Sequence, residues 1–196
     1  MPPLRLLVVG VGGQGVLTVA RMLGDAALAA GLDVVVGQLH GMAQRGGSVE
    51  APVLIGASVR AAFVEQADLV LGFEPLETLR ALPRMTGETR VVLNTRRLVP
   101  FPLAMQGLPY PDLDRILAQL RAVAAHVLTV DGPALLARIG DGGGLNMLLL
   151  GIVAGIGVLP FEPAALLKSI ERRGSPHAQE RNRRAFELGL EAARGG

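Results

Sequence analysis

The chain has 196 residues, 50% of them hydrophobic and 18% charged, with 26 Gly and 13 Pro. That is apolar material enough for the core of one domain, and it excludes a disordered chain, which would carry more charge and less hydrophobicity. Net charge is only +2, aromatics are 3%, and Trp and Cys are absent, which excludes a basic base-stacking surface for nucleic acid, any disulfide, and any thiolate site for zinc, an iron–sulfur cluster or nucleophilic catalysis.

Leu4–Val9 is a continuous apolar run ending at Gly10, the pattern of a strand buried on both faces. Val16–Ala30 is rich in strong helix formers and stops at Gly31. Asp33–Gly37 predicts a second buried strand. Strand, glycine loop, helix and strand in this order open a Rossmann-like, doubly wound α/β fold with a mostly parallel sheet. His40–Ser48 has neither period. Val49–Ile55 and Val59–Val64, separated by Gly56-Ala57-Ser58, predict a hairpin insertion. Asp68–Phe73 reads as a strand, Glu74-Pro75 opens a helix through Leu82, and Arg90–Asn94 is a further strand. Leu98–Pro111 contains Pro100, Pro102, Pro109 and Pro111 and is expected to be a loop or irregular edge. Asp112 caps an amphipathic helix to Ala125, and Val127–Val130 is the last strand. From Pro133 the chain is helical, with Pro163 at a helix start and a charged last helix from about His177. The expected organisation is one domain over 1–196, with a Rossmann-like core at 1–131 and a helical C-terminal part at 132–196.

Gly143–Phe161 carries no charge, but its compact apolar part, Met147–Leu159, is too short to cross a bilayer, which needs about 20 apolar residues. Gly151, Gly155 and Gly157 mark it as a buried helix packed closely on a neighbour, or as a subunit interface. The start, Met1–Arg5, has none of the features of a signal peptide, so a cytoplasmic protein, not a membrane one, is expected.

Gly10-Val11-Gly12-Gly13-Gln14-Gly15 fits G-x-G-x-x-G between a strand and a helix, where glycines let the backbone approach a phosphate and the helix N-terminus supplies free N–H groups. Gly12, Gly13, Gln14 and Gly15 are therefore binding candidates. A dinucleotide site also wants an acidic residue at the end of the second strand, where Gly37, Gln38 and Leu39 stand instead; Asp33 is at the wrong end. An NAD site, another phosphate or diphosphate site, and a glycine turn that only packs strand on helix all remain open. No Gly-Lys-Ser/Thr exists for a Walker loop. On the same rim lies His40-Gly41-Met42-Ala43-Gln44-Arg45-Gly46-Gly47-Ser48. Here Arg45 and the open N–H groups of Gly46 and Gly47 suit an anion, with His40, Gly41, Gln44 and Ser48 beside them; a solvated loop is the alternative. No catalytic residue is assigned. His40 has no visible acid–base partner, and His40, His126 and His177 have no ligand spacing, so no metal site is expected. No Gly-x-Ser-x-Gly elbow occurs. Glu74, one turn before Glu77, reads as a helix-start charge, and Asn146 as a cap or buried hydrogen-bonding residue. Glu171-Arg172-Arg173 and Arg181, Arg183 and Arg184 read as a solvated face or a surface for an acidic partner.

The segments VGVGGQGVLTVARMLGDAAL, HGMAQRGGSV, LGFEPLETLR, GGLNMLLLG and NRRAFELG resemble the gamma domain of 2-oxoacid:ferredoxin oxidoreductases over almost the whole chain. The loop His40–Gly47 is similar to the form in the beta subunit of indolepyruvate ferredoxin oxidoreductases; pyruvate and 2-oxoglutarate relatives carry Tyr-Gly-Pro-Glu-x-Arg-Gly-Gly. The resemblance implies a complex that oxidatively decarboxylates an aryl 2-oxoacid to an acyl-CoA and passes electrons to ferredoxin. Thiamine diphosphate, Mg and iron–sulfur clusters would lie in a larger alpha subunit, and this chain would bind none of them alone. Its implied task is to complete the active-site cavity and help bind CoA, with the glycine loop and Arg45 on the phosphates. Deprived of its partner, such a subunit is expected to bury apolar surface against copies of itself.

Overall fold

Leu4–Val11 becomes the central strand β1 because both of its faces are apolar: Leu6 and Val8 enter one core, Leu7 and Val9 the other, and all four are at most 1% exposed. The computed structural model describes residues 2–40, 46–56, 61–99, 103, 105–107, 109–140, 144–171 and 174–195, with the backbone alone at His40. Around β1 the described strands are β2 (Val34–Val36), β3 (Leu39–His40), β4 (Ser48–Ile55), β5 (Leu69–Gly72), β6 (Arg90–Asn94) and β7 (His126–Val130). They form one mixed sheet in the order β2-β4-β1-β5-β6-β7, with β3 also paired to β4. β1, β5, β6 and β7 are mutually parallel, whereas β4 is antiparallel to β1, β2 and β3. The fold is thus α/β and doubly wound, and β4 alone runs against the rest.

The expected hairpin is corrected. Among the described residues, 61–64 form no strand, and 57–60 lie outside the description. The antiparallel neighbours of β4 are β1 on one side and β2 and β3 on the other. Burial explains the choice: Val49, Ala51, Val53 and Ile55 pack into one core and Leu54 into the other, so β4 belongs in the sheet interior. Phe63, by contrast, is 64% exposed. Within the expected loop 98–111, residues 103 and 105 are helical.

Helix α1 (Val16–Ala29) covers one face of the sheet, with α5 (Leu145–Gly155), α6 (Pro163–Glu171) and α7 (Pro176–Arg194) sharing its core. The other face is covered by α2 (Pro75–Arg80), a 3-10 turn at Leu82–Arg84 and α3 (Leu113–Val123); α4 (Gly132–Ala137) follows β7. Asp112 does cap α3, its carboxylate accepting from the N–H groups of Asp114 and Arg115. The uncharged segment is a buried helix: α5 crosses α7 so closely that a Cβ on Gly151 would overlap the Phe186 carbonyl oxygen, and one on Gly189 the Leu148 carbonyl oxygen. Among the described residues, no helix is long and apolar enough to cross a membrane.

Candidate functional site

All parallel strands end on one rim. From β1 the chain turns through α1 towards β2 and β4, and from β5 it turns through α2 towards β6, so the winding reverses between β1 and β5. Open α/β sheets bind ligands at such a point. Here it is spanned by Gln14. Its Oε1 accepts from the Val11 N–H at 2.7 Å, and its Nε2 donates to the Phe73 carbonyl at 3.3 Å. Gly10 makes room for this amide, since a Cβ there would lie 2.8 Å from Gln14 Oε1 and from Phe73 Cβ. Gly13 (φ 102°) and Gly15 (φ 91°) take left-handed conformations that a side chain resists. Gly15 is the N-cap of α1; no side chain caps it and no acidic residue sits in the first turn, so the positive end of the helix faces outward. A cleft of about 450 Å³ lies in front of it, lined by Gly12, Gly13, Gly15, Thr18, Gln38 and Val49 among others. Gly12, Gly13 and Gly15 thus front the cleft, while the Gln14 side chain locks the loop from behind.

The second motif is sewn onto the first. The Gly12 N–H donates to the Gly47 carbonyl at 2.8 Å, and the Gly46 N–H to the Gly12 carbonyl at 3.4 Å. Two segments far apart in sequence therefore share one edge of the cleft. Gly41, Gln44 and Arg45 lie outside the described residues, and the His40 backbone pairs with Val49 in β3–β4. Ser48 opens β4, and its hydroxyl together with Arg80 acts on the Glu77 carboxyl. Glu77 is 2% exposed, and burial pushes it above the usual carboxylate range despite Ser48 and Arg80, whose Nε is 3.4 Å away. The place that an acidic ribose ligand takes in a dinucleotide fold has moved: β4 stands between β1 and β2, and Gln38, past the end of β2, lines the cleft.

Farther along the rim lies a polar network that the sequence reading missed. Glu74, fully buried, is the N-cap of α2, as a helix-start charge would be, with Oε2 accepting from the Glu77 N–H at 3.0 Å. Its Oε1 also accepts from the Leu98 N–H at 3.3 Å and from the Tyr110 hydroxyl. Burial, then the hydrogen bond to Glu74, pushes the Tyr110 phenol well above its ordinary value. Asn94, fully buried, donates to the Phe73 carbonyl at 2.9 Å and accepts from the Gly132 N–H at 3.1 Å. The one sequence signal for it is a polar residue closing an apolar strand. Asn146 is not the cap of α5, which is Gly144; it packs against Gly15, its Nδ2 3.1 Å from where a Cβ would stand. On α7, Arg183 pairs with Glu180 and Glu187 and Arg184 with Glu180, which holds the Glu180 carboxyl down to about 2.

The whole chain has known relatives. It is 40% identical over 191 residues to the indolepyruvate oxidoreductase subunit IorB of Methanothermobacter thermautotrophicus, covering 96% of this chain and 97% of that protein. In structure it is similar to the pyruvate oxidoreductase subunit PORC of Thermotoga maritima, with a TM-score of 0.73 and 22% identity over 97% of each chain. A 2-oxoglutarate:ferredoxin oxidoreductase from Magnetococcus marinus with 2-oxoglutarate, coenzyme A and succinyl-CoA bound matches all of this chain with 32% of its own, at a TM-score of 0.75 and 16% identity. These two likenesses concern the fold alone. With residues 5–192 matching it and a full-length relative at 40% identity, the chain belongs to the pyruvate ferredoxin/flavodoxin oxidoreductase family.

Proposed function

We propose that this chain is the non-thiamine-binding subunit of an indolepyruvate or related aryl 2-oxoacid:ferredoxin oxidoreductase. There it completes the active-site cavity and helps hold CoA during oxidative decarboxylation to the acyl-CoA. The full-length similarity to an indolepyruvate oxidoreductase subunit supports the subunit assignment. The Gly12 N–H is engaged by the Gly47 carbonyl and the Gly46 N–H by the Gly12 carbonyl, so these residues fix the edge, and the N–H of Gly46 is not open as the sequence suggests. The observation that carries the CoA reading is the uncapped N-terminus of α1 behind Gly13 and Gly15, open to the cleft. Backbone N–H groups and a helix dipole favour phosphate there, and Arg45, next in sequence to Gly46, brings the guanidinium suited to it. In this reading Gly12, Gly13 and Gly15 face the diphosphate and Gln14 holds the loop. Gly46 and Gly47 extend the edge that Gly12 begins, and His40, Gly41, Gln44, Arg45 and Ser48 belong to the same binding segment by sequence. The 2-oxoglutarate:ferredoxin oxidoreductase that has coenzyme A bound contains this fold within about a third of its own chain, a likeness of fold in keeping with the assignment.

The partner in this reading is a larger alpha subunit bearing thiamine diphosphate, Mg and iron–sulfur clusters, with ferredoxin as electron acceptor. The residues of this chain do not fit those groups: without cysteine it offers no thiolate to a cluster, and the described residues bring no three His, Asp or Glu together for a metal. The thiamine group supplies the decarboxylation chemistry when bound in the partner, and this chain contributes binding and enclosure. The chain acts here as one domain, residues 1–196, because α5, α6 and α7 share the core of α1.

Reconstitution tests this. Co-expressed with its alpha subunit, the chain is expected to be required for indolepyruvate- and CoA-dependent reduction of a viologen dye, with pyruvate a poorer substrate. Arg45→Ala is expected to raise the KM for CoA about tenfold, the low end for losing one charge-assisted hydrogen bond. Absence of a complex would overturn the subunit reading, and an unchanged KM would remove Arg45 from the site.

A further inference from the structure

On the face of the sheet that α2 covers, three buried side-chain polar atoms have no hydrogen-bond partner among the described residues: Glu77 Oε1, Glu50 Oε2 and Arg84 Nη1. Ser48 and Glu50 are alternate residues of β4 and so share one face of the sheet. The Ser48 hydroxyl bonds to the Glu77 carboxyl, which brings Glu77 of α2 beside Glu50. Arg84, in the 3-10 turn, places Nη2 3.2 Å from Glu50 Oε2. We infer that Glu77 and Glu50 share one proton, and that this acid pair latches α2 to the start of β4, where the His40–Ser48 segment enters the sheet.

Charge and hydrogen bonding both call for that proton. Glu50 and Arg84, with side chains 23% and 27% exposed, form one balanced ion pair. Glu77 is 2% exposed, whereas Arg80, whose Nε is 3.4 Å away, is 54% exposed and solvated. An ionised Glu77 would be the odd charge in the interior, with a second carboxylate beside it. It would also leave two acceptors and one donor unanswered. With the proton, Glu77 Oε1 donates, and Glu50 Oε2 has one lone pair for it and one for Arg84 Nη1. The remaining surroundings supply no other counter-charge. Glu74, on the same helix, adds like charge and is itself engaged by the Glu77 and Leu98 N–H groups and the Tyr110 hydroxyl. From the other elements against α2, which are β1, β5, β6 and α3, apolar residues such as Val9, Val70, Leu93 and Leu117 enter this core. Burial first, with Glu74 and Glu50 adding to it, raises Glu77 above the usual carboxylate range against Ser48 and Arg80. The latch meets the cleft at α1 through one residue, since Gly47, which precedes Ser48, accepts the Gly12 N–H at 2.8 Å. Loss of the proton sets two carboxylates against each other under the start of β4, so a rise in pH loosens that edge.

Urea unfolding of the full chain across pH tests the sharing, read as the ratio of the wild-type unfolding constant to that of Glu77→Gln, which is neutral at every pH. The folded value lies above the unfolded one of about 4.3, so neutral Glu77 stabilises the fold fully below it, and that contribution is lost as pH rises through the folded value. The ratio is therefore expected to be flat below about pH 4 and then to climb about tenfold per pH unit until the folded value is passed. Glu50→Gln removes the second holder of the proton and is expected to shrink the climb. A climb left whole by Glu50→Gln would assign it to burial alone and overturn the sharing. A flat ratio would overturn it as well, since an ionised Glu77 served by buried water gives that result. If Glu77→Gln does not fold, infrared spectroscopy of the wild type reads the same proton: a protonated-carboxyl band is expected to persist above the ordinary carboxylate range, and its absence overturns the pair. Hydrogen exchange at the Gly12 amide, corrected for intrinsic rate and set against the Gly132 amide, reads the latch. Its protection is expected to fall with rising pH in the wild type and not in Glu77→Gln; protection indifferent to pH in both would overturn the latch. None of these readings uses CoA, so their failure is distinct from failure of the function proposed above.

Discussion

Replacing Gln14 with Leu keeps similar bulk in the space that Gly10 leaves and removes both hydrogen bonds of the amide. The Val11 residue is 1% exposed, so its N–H loses the acceptor at 2.7 Å where water cannot replace it, a cost of about 1–3 kcal/mol. The Phe73 carbonyl keeps its bond from Asn94 at 2.9 Å, so losing the longer one from Gln14 costs less, about 0.5 kcal/mol. Together the loss is about 1.5–3.5 kcal/mol, or a fall in Tm of roughly 3–14 °C for a chain of this size. Urea unfolding followed by circular dichroism reads it directly, with the m-value reporting whether the unfolded state has changed. If the loop in front of α1 holds CoA as proposed above, the same variant, which removes the loop's anchor, is expected to raise the KM for CoA in the assembled complex. A stability loss below about 0.5 kcal/mol at constant m-value would refute the role given to the Gln14 amide.

Tyr110 is the only tyrosine and the chain has no Trp, so ultraviolet absorbance titrates this one phenol. Its folded pKa lies above the ordinary value of about 10, so the native state holds the proton. That stabilises the fold fully below about pH 10 and is lost as pH rises towards the folded value. Native protein at about pH 11 is expected to show almost no tyrosinate, and a normal titration in the folded chain would contradict the burial beside Glu74. Gly151→Ala puts a methyl group into the Phe186 carbonyl oxygen at the α5–α7 crossing and is expected to cost about 3 kcal/mol or more in urea unfolding. A loss under about 1 kcal/mol would show that the two helices can part.

What was legible in the sequence is what neighbouring residues decide. β6 spans Arg90–Asn94 as read, and the Asp112 cap, the helix start at Pro163 and the glycine loop each depend on a few consecutive positions. The hairpin failed because pairing is a tertiary choice: Val49–Ile55 has apolar residues on both faces, and any interior slot satisfies that pattern equally. The site followed the same division. The glycine loop and the His40–Ser48 loop were both visible, and so was their common rim. The Gly12–Gly47 hydrogen bond that joins them was not, because it depends on β4 running antiparallel beside β1. Glu74 was read as a helix-start charge and is one, yet the same carboxylate also holds Leu98 and Tyr110, partners that no local pattern names.

The network that sets the rim turns on a single carbonyl. Phe73, at the end of β5, accepts from the Gln14 amide on one side and the Asn94 amide on the other, so both lone pairs of its oxygen are engaged. Each amide is fixed at its far end by a backbone N–H, that of Val11 for Gln14 and that of Gly132 for Asn94. Neither can flip without setting two donors against each other and two acceptors against each other, which makes their orientation a property of the fold. The loops after β1, β5 and β7 are thereby bound through one buried relay. In a low-dielectric interior such bonds are strong when complete and expensive when broken, so the relay opposes displacement of one loop apart from the others. The CoA site proposed above asks that of this rim, because backbone N–H groups act on a phosphate only where the chain already holds them.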